Sequence, residues 1–164
     1  MEVVMKLFDT IFSKSEIILG SPMSGECIAV NEVNDPTFKE ELLGKGVAII
    51  PSAGKIYAPC DGKIAMVFST GHAVAMITQE GIELLIHFGM DTVKLKGRYF
   101  TVKVGEGDSV KKGDLLIDVD IEQIKKEGYE VTTPVVVTNS NDFSKIVLET
   151  GNVKVGDNIM RIRK

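Results

Sequence analysis

Short runs rich in valine and isoleucine, separated by turns that contain glycine or proline, recur along this chain and restrict its fold class. Sixteen glycines and five prolines interrupt the 164 residues, and the runs between them have the length of strands. The clearest runs are GVAIIP, GKIYAP, GKIAMVF, HAVAMIT, GIELLIHF, YFTVKV, DLLIDVD, TPVVVT and NIMRIRK. Such spacing is typical of an antiparallel β-sandwich or barrel and not of alternating βαβ units. We therefore predict an all-β fold.

Two internal echoes indicate that this β architecture is duplicated. SVKKGDLLI at 109–117 and NVKVGDNIM at 152–160 share the pattern V-K-x-G-D. SPMSGECIAV at 21–30 and APCDGKIAMV at 58–67 share P-x-x-G. In each case a polar turn with a glycine precedes an apolar strand. VGEGDSVKKGDLL also resembles the hairpin of lipoyl and biotinyl carrier domains, without their lysine at a tight turn. The expectation is a β-sandwich or barrel of the duplicated hybrid type.

Helical patterns are few and short. We predict helical turns in PTFKEELL, in IEQIKKEG, and in NDFSKI with Asn141 or Asp142 as its cap. The N-terminal segment, residues 1–19, is predicted to be a tail that could form an amphipathic helix, followed by a single domain over residues 20–164. The charges of Glu2, Lys6, Asp9 and Lys14 cancel, whereas membrane-surface helices carry an excess of lysine and arginine, so membrane contact stays open.

Composition narrows the class of partner and the compartment. The formal net charge is −4, which offers no basic stripe for phosphates and excludes a nucleic-acid partner. Cys27 and Cys60 are in neither a C-x-x-C nor a zinc-finger spacing, so we expect small buried thiols in a reducing compartment. No apolar stretch approaches the roughly 20 residues of a membrane span. With no recognisable signal peptide, we expect a cytoplasmic protein.

A histidine in the middle of the apolar run GIELLIHFGMDTV is the first candidate for chemistry. Alternation along a strand places Leu85, His87 and Gly89 on one face, and we expect Gly89 to leave open space beside the imidazole. The other histidine of the chain, His72, opens the preceding strand, and a short turn at residues 79–81 would join the two strands as a hairpin. A turn centred near residues 79–80 would place His72 opposite His87, with Thr70 within reach of the His72 ring.

Two facing imidazoles favour phosphoryl transfer over hydrolysis. The neutral ring nitrogen of one histidine can accept a phosphoryl group while the other donates an N–H to its oxygens. A zinc hydrolase is the alternative from another class, with His72, His87 and Asp91 as ligands. The chain has neither an H-x-H nor an H-E-x-x-H motif to support it. A structural histidine in the core is the third interpretation.

At these residues the chain resembles a known family. GIELLIHFGMDTV is similar to the phosphohistidine signature of the glucose-type (type 1) IIA proteins of the bacterial phosphoenolpyruvate-dependent sugar phosphotransferase system. SPMSGECIAV, DPTF, the region from LLGKGVAIIP to STGHAVAM, VKKGDLLIDVD, TPVVVTN and GNVKVGDNIMRIRK also resemble this family, in its order. The resemblance covers the chain from about Gly20 to the C-terminus, and the fold that it implies is an antiparallel β-sandwich.

The resemblance implies a role for each site residue. His87 would carry the phosphoryl group on Nε2, His72 would hydrogen-bond that group, and Thr70 would orient His72. The implied partners are the phosphocarrier HPr as donor, a cysteine of a sugar-specific IIB domain or IIBC permease as acceptor, and regulatory targets that bind the same face. A monomer without a required cofactor is expected, associated with the membrane through its partners, and zinc could bind at His72 and His87. The partner-binding surface implied by the family consists of Asp35, Phe38, Leu42, Leu43, Phe68, Leu85, Asp91 and Val93.

Overall fold

The structure, a computed structural model, describes residues 16–164 as a set of antiparallel sheets. The helix predicted at the N-terminus lies outside these residues. Among the helices that are described, none is long and apolar enough to cross a membrane. The family resemblance and the strand pattern both predict an all-β architecture, and the structure confirms it.

Strands account for most of the regular structure in residues 16–164. They are β1 (Glu16–Gly20), β2 (Gly25–Ala29), β3 (Lys45–Pro51), β4 (Lys55–Tyr57), β5 (Gly62–Val67), β6 (Ala73–Ile77), β7 (Glu83–His87), β8 (Phe100–Val102), β9 (Ser109–Val110), β10 (Leu115–Val119), β11 (Thr133–Val137), β12 (Lys145–Leu148), β13 (Gly151–Val153) and β14 (Asn158–Arg163). Two short helices, α1 (Pro36–Lys39) and α2 (Ile121–Lys126), and 3₁₀ turns at Val30–Glu32, Thr92–Leu95 and Ser140–Asp142 connect them.

The strands form one large sheet and two smaller sheets, which share a core. Eight strands follow the order β13-β2-β3-β11-β7-β6-β5-β9, and two three-stranded sheets have the orders β1-β14-β12 and β4-β10-β8. Every strand pair is antiparallel. The main core draws on all three sheets, with Ile86 from the large one, Ile162 from the second and Leu116 from the third, each almost wholly buried. Closure of three sheets around one core makes this a sandwich.

The face of the large sheet opposite to the main core also buries apolar side chains, in a smaller cluster. We call the residues there the site cluster, and they are Val30, Val33, Phe38, Ala48, Ala73, Leu85, Met90 and Val136. Strand alternation assigns the two faces, since Leu84 and Ile86 of β7 join the main core while Leu85 joins the site cluster. The 3₁₀ turn at Val30–Glu32 and helix α1 supply the rest of the cover.

The repeated V-K-x-G-D pattern corresponds to a repeated turn. In each copy the aspartate accepts a hydrogen bond from the backbone N–H three residues earlier, Asp114 from Lys111 at 2.9 Å and Asp157 from Lys154 at 2.8 Å. The glycine before each aspartate has φ near +90°, a conformation that costs glycine least. A side chain there would meet no atom within 4 Å. Backbone conformation, and not space, therefore accounts for the glycine in the pattern.

Two parts of the secondary structure differ from expectation. The helix predicted in NDFSKI was wrong, because the 3₁₀ turn ends at Asp142 and Lys145–Leu148 form strand β12 beside β14. The apolar residues of that segment gain more by pairing with a strand than an isolated short helix would supply. Glu16–Leu19, which the sequence analysis assigns to the N-terminal tail, pair with β14 as part of β1. The helical turns predicted in PTFKEELL and IEQIKKEG are confirmed as α1 and α2.

Neighbouring isoleucines on β3 provide a test of the two faces. Ile49 is fully buried in the main core, whereas Ile50 on the opposite face is 41% exposed. We expect Ile49→Ala to lower the free energy of unfolding by about 2–5 kcal/mol and Ile50→Ala by less than about 1 kcal/mol. Urea denaturation of both variants measures the difference. Equal losses would contradict the assignment of these faces.

Candidate active site

His87 is the last residue of β7, on the face of the large sheet that carries the site cluster. Its strand pairs on one side with β6 and on the other with β11, so two neighbours hold the backbone. The β6–β7 hairpin predicted from the sequence is confirmed. Leu85, two residues earlier on the same face, is buried beneath the site. The strand thus presents one half-buried imidazole at the edge of an apolar surface.

His72 lies beside His87, but the backbone conformation that places it there differs from the prediction. The residue opposite His87 is Ala73, not His72, so the predicted pairing was wrong by one position. His72 instead precedes β6, in a bend after Gly71, and its carbonyl accepts a hydrogen bond of 2.8 Å from the N–H of Phe88. Phe88 points into the main core, and regular pairing would turn His72 the same way. The bend, with Gly71 at φ +73°, turns it toward His87.

The two imidazoles nevertheless meet, as predicted. Their ring centroids are 4.9 Å apart and their planes are nearly perpendicular, at 83°. Phe38 packs on His87 at 5.1 Å between centroids, and Phe68 packs edge-on against His72 at 5.4 Å. His72 is only 3% exposed. The rings of Phe38 and Phe68 therefore pack against the histidine pair and shield most of it from water.

A backbone hydrogen bond sets the tautomer of His87. Nδ1 lies 2.9 Å from the carbonyl oxygen of Gly89. Since a carbonyl can only accept, Nδ1 carries the proton and Nε2 is left with its lone pair free. The expectation that Gly89 leaves open space was wrong: Gly89 is at φ +68°, and a Cβ there would lie 2.6 Å from Thr92 Cγ2 and 2.7 Å from Glu130 O. The glycine is required by its backbone conformation and close packing.

His72 is held by a side chain instead. The hydroxyl of Thr70, half-buried in the turn before the bend, hydrogen-bonds Nδ1 of His72, as the sequence predicts. Its role as the group that orients His72 in a reaction stays a prediction. With Nδ1 occupied on each ring, both Nε2 atoms remain available for a ligand.

The environment favours the neutral form of both rings. Burial lowers the pKa of His72 to about 4, and electrostatic repulsion by His87 adds to the effect. Burial also lowers the pKa of His87, against the opposing influence of the hydrogen bond to Gly89 and of the nearby charges of Asp35 and Asp91. At neutral pH each imidazole is therefore uncharged, with one protonated and one unprotonated ring nitrogen.

The two aspartates predicted beside the site flank it from different elements. Asp35 caps α1, where its Oδ1 accepts a hydrogen bond of 2.9 Å from the N–H of Thr37. Asp91 is exposed at φ +58° and precedes the 3₁₀ turn Thr92–Leu95. Both raise the pKa of His87 through their charge. They place two negative charges close enough to act on the histidine.

The predicted apolar partner surface divides into buried and exposed members. Phe38 and Leu85 are 4% and 8% exposed, so they support the histidines from within the site cluster. Leu42, Leu43 and Val93 are 69%, 39% and 49% exposed. The exposed three, together with the half-buried Phe68, form what we call the apolar rim. Exposed apolar side chains that form a patch are typical of a protein-binding surface, and this role of the apolar rim stays a prediction.

The residues that would make a zinc hydrolase are not arranged as a metal site. In residues 16–164, no group of three or more histidine, cysteine, aspartate or glutamate side chains is placed to hold a metal ion. Catalytic zinc needs three protein ligands. The hydrolase alternative therefore has no support here. Zinc bound by His72 and His87 with a ligand from elsewhere stays a prediction.

Fold and site together define an all-β domain with two neutral, hydrogen-bonded imidazoles packed edge to face on an apolar surface. The family model of the phosphoenolpyruvate-dependent sugar phosphotransferase system, EIIA 1, matches residues 17–143. This chain belongs to that family.

Individual relatives agree with this membership. The chain is 40% identical over 161 residues to the PTS system glucose-specific EIIA component of Haemophilus influenzae, covering 95% of this chain and 97% of that protein. It is 49% identical over 125 residues to a PTS system beta-glucoside-specific EIIBCA component of Dickeya chrysanthemi. There the match covers 76% of this chain and 20% of the relative, so the chain spans about a fifth of the length of such multidomain relatives.

A solved structure shares the fold. The chain is similar to glucose permease IIA from Mycoplasma capricolum, with a TM-score of 0.82 and 34% sequence identity. The similarity covers 89% of this chain and 95% of the other. The three-sheet architecture described above is thus the architecture of a known IIA protein.

Sequence reasoning missed the backbone group that hydrogen-bonds His87. The carbonyl of Gly89 has no signature of its own, because every residue has a carbonyl. The available signal was a glycine two residues after a strand-terminal histidine, which is compatible with a left-handed turn that folds its carbonyl back. Interpreted as open space beside the ring, that glycine gave no indication of the carbonyl.

The chain has only two histidines, so their titration can be followed without ambiguity. We expect the Cε1–H signal of His72 to titrate near pH 4 and that of His87 below 6.5. Because the unfolded chain binds these protons first, the folded state should lose stability as the pH falls from about 6.5 toward 4. Two-dimensional NMR between pH 3.5 and 8, with His72→Gln for assignment, measures both titrations. Urea denaturation over the same pH range measures the loss of stability. A midpoint at or above 6.5 for either ring would contradict the described burial.

Proposed function

We propose that this chain is a phosphohistidine relay that accepts a phosphoryl group from HPr on His87 Nε2 and passes it to the cysteine of a sugar-specific IIB domain. The observation that carries the proposal is the hydrogen bond from His87 Nδ1 to the Gly89 carbonyl. It leaves Nε2 as the nucleophilic nitrogen and points it away from the backbone that holds the ring. A low pKa keeps that nitrogen unprotonated at neutral pH.

Each transfer exchanges one bond to phosphorus for another. In the first, the Nε2 lone pair of His87 forms the new P–N bond while the P–N bond to the donor histidine of HPr breaks, and the donor keeps that electron pair. In the second, a cysteine thiolate forms a P–S bond and the P–N bond to His87 breaks. Phosphoryl transfer proceeds through a loose transition state, so positioning and charge stabilisation provide most of the catalysis.

His72 would stabilise the charge on the transferred group. We propose that the Thr70 hydroxyl donates to Nδ1 of His72, which places the ring proton on Nε2. That N–H can then hydrogen-bond a phosphoryl oxygen held on His87, since the ring centroids are 4.9 Å apart. Phe38 and Phe68 pack against the two rings and would shield the labile P–N bond from water.

The surroundings of the site fit a protein donor and a protein acceptor. Both would pack on the apolar rim, and basic residues of HPr would face Asp35 and Asp91, which speeds encounter. The IIB partner is inferred from relatives whose names join an EIIB component to the EIIA component. We place the relay in the cytoplasm, where a IIBC permease would bring the chain to the membrane. The relay as proposed requires no metal.

Glutamine in place of each histidine separates the two roles. His87→Gln should take up no label from radioactive phosphoenolpyruvate, enzyme I and HPr, because no other group replaces Nε2. His72→Gln should still be labelled but pass the group to a IIB domain at least about 10-fold more slowly, since the departing phosphoryl loses its hydrogen-bond partner. Rapid-quench labelling, with an acid-labile and base-stable product, measures both steps.

Folding controls make these outcomes decisive. Both variants should keep the thermal transition of the wild type within a few degrees, because glutamine is similar to histidine in size and keeps a polar side chain at each position. Labelling of a folded His87→Gln protein would disprove the proposal. Metal-dependent hydrolysis by the purified chain, lost with a chelator, would favour the rival function.

Two exposed valines test the apolar rim. Val93 lies on the rim at 49% exposure, and Val147 lies on β12 of another sheet at 39%. We expect Val93→Asn to raise the HPr concentration for half-maximal labelling by several-fold, because apolar contact area is lost, and Val147→Asn to leave it unchanged. Initial labelling rates over a series of HPr concentrations measure this. Equal effects of the two variants would contradict the proposal that HPr docks on the apolar rim.

A further inference from the structure

The carbonyl that orients His87 lies in an irregular turn that the sheet does not hold. Strand β7 ends at His87, and the chain then passes through two left-handed residues, Gly89 at φ +68° and Asp91 at φ +58°. A change in the peptide planes of this turn would move the Gly89 oxygen away from Nδ1. The orientation of the histidine therefore depends on whatever fixes residues 88–91.

Thr92 contacts this turn at two points. Its hydroxyl donates a hydrogen bond to the carbonyl of Phe88, the residue between His87 and Gly89. Its methyl group lies 2.6 Å from the position that a Cβ of Gly89 would occupy, so it packs directly against the glycine. Thr92 is fully buried. One side chain thus holds the peptide before Gly89 by a hydrogen bond and the glycine itself by contact.

Two further hydrogen bonds to the turn join main-chain groups. Neither involves the Phe88 carbonyl, which accepts the bond from Thr92. The N–H of Phe88 donates to His72 at 2.8 Å, and the N–H of Met90 donates to Glu130 at 3.0 Å. The first bond fixes the His87–Phe88 peptide, and the second fixes the Gly89–Met90 peptide, which carries the Gly89 carbonyl. The Thr92 hydroxyl restrains the Phe88–Gly89 peptide between them, in a place too buried for water to substitute.

We propose that Thr92 is a positioning residue for His87, acting through the Phe88–Gly89 peptide to keep the Gly89 carbonyl aligned with Nδ1. It does not touch the phosphoryl group. Its effect is to maintain the Nδ1–H tautomer, and with it the free lone pair on Nε2 that the proposed relay requires. This inference rests on the proposed function only for its consequence in phosphoryl transfer; the effect on the tautomer is independent of it.

The experiment compares Thr92→Val, which removes the hydroxyl and keeps the shape, with Thr92→Ser, which keeps the hydroxyl. Long-range ¹H–¹⁵N correlation of the imidazoles at pH 7.5 reports the tautomer. We expect the Nδ1–H pattern of His87 in the wild type and in Thr92→Ser, and a mixture of tautomers in Thr92→Val. The rate of labelling by phospho-HPr should fall roughly 10- to 100-fold in Thr92→Val and recover largely in Thr92→Ser.

Thr133→Val is the matched control. Thr133 is also fully buried, and its hydroxyl donates to the Val131 carbonyl at 2.8 Å, so the variant loses the same kind of bond in strand β11. It should leave the His87 tautomer unchanged. Thr92→Ala, which also lacks the hydroxyl, repeats the test if Thr92→Val does not fold.

The outcomes separate this inference from the proposed function. A wild-type tautomer in Thr92→Val, or equal effects of Thr92→Val and Thr133→Val on the His87 signals, overturns the positioning role. If Thr92→Val changes the tautomer and the wild type takes no label from HPr, the positioning role stands and the proposed relay fails. A change of tautomer together with slower labelling, both restored by serine, supports both.

Discussion

The hydrogen bond from His87 Nδ1 to the carbonyl of Gly89 is the constraint on which the chemistry of this site depends. It joins a side chain at the end of a strand to the backbone two residues later. Such closure requires the chain to reverse immediately after β7, and a left-handed residue at position 89 provides that reversal. The bond decides which ring nitrogen carries the proton, and so which nitrogen can act as a nucleophile.

Burial and charge act in opposite directions on the same ring. The apolar surroundings disfavour a charged imidazole, while Asp35 and Asp91 favour it, and burial prevails for His87. The aspartates therefore leave His87 neutral while they place negative charge beside it. Phe38 and Leu85, buried on the same face, keep the surroundings apolar. A site built this way can attract a basic partner without protonating His87 Nε2, the atom proposed to react.

Features that depend on residues close together in the sequence were predicted correctly. Features that depend on contacts between distant segments were not. Period-2 alternation predicted the faces of β7 correctly, and the turn at residues 79–81 predicted its hairpin with β6. The register was wrong by one residue, because the position of a bend such as that at Gly71 follows from packing against β8 and not from local pattern. NDFSKI was mispredicted as a helix because its pairing with β14 is long-range. The hairpin argument and the family resemblance both pointed to the two histidines, but neither carried information about the acceptor of Nδ1.

The location of β7 explains how a single surface could serve two partners in turn. β7 lies inside the eight-stranded sheet, between β11 and β6, and its inner side chains are fixed in the main core. Movement of the His87 backbone would disturb its pairing with β6, and the hydrogen bond to the Gly89 carbonyl holds the ring. His72 depends on the same hairpin, through its carbonyl bond to the N–H of Phe88. A donor and an acceptor that each approach Nε2 of His87 would then meet the same geometry. The proposed transfers would therefore require the partners, and not the site, to move.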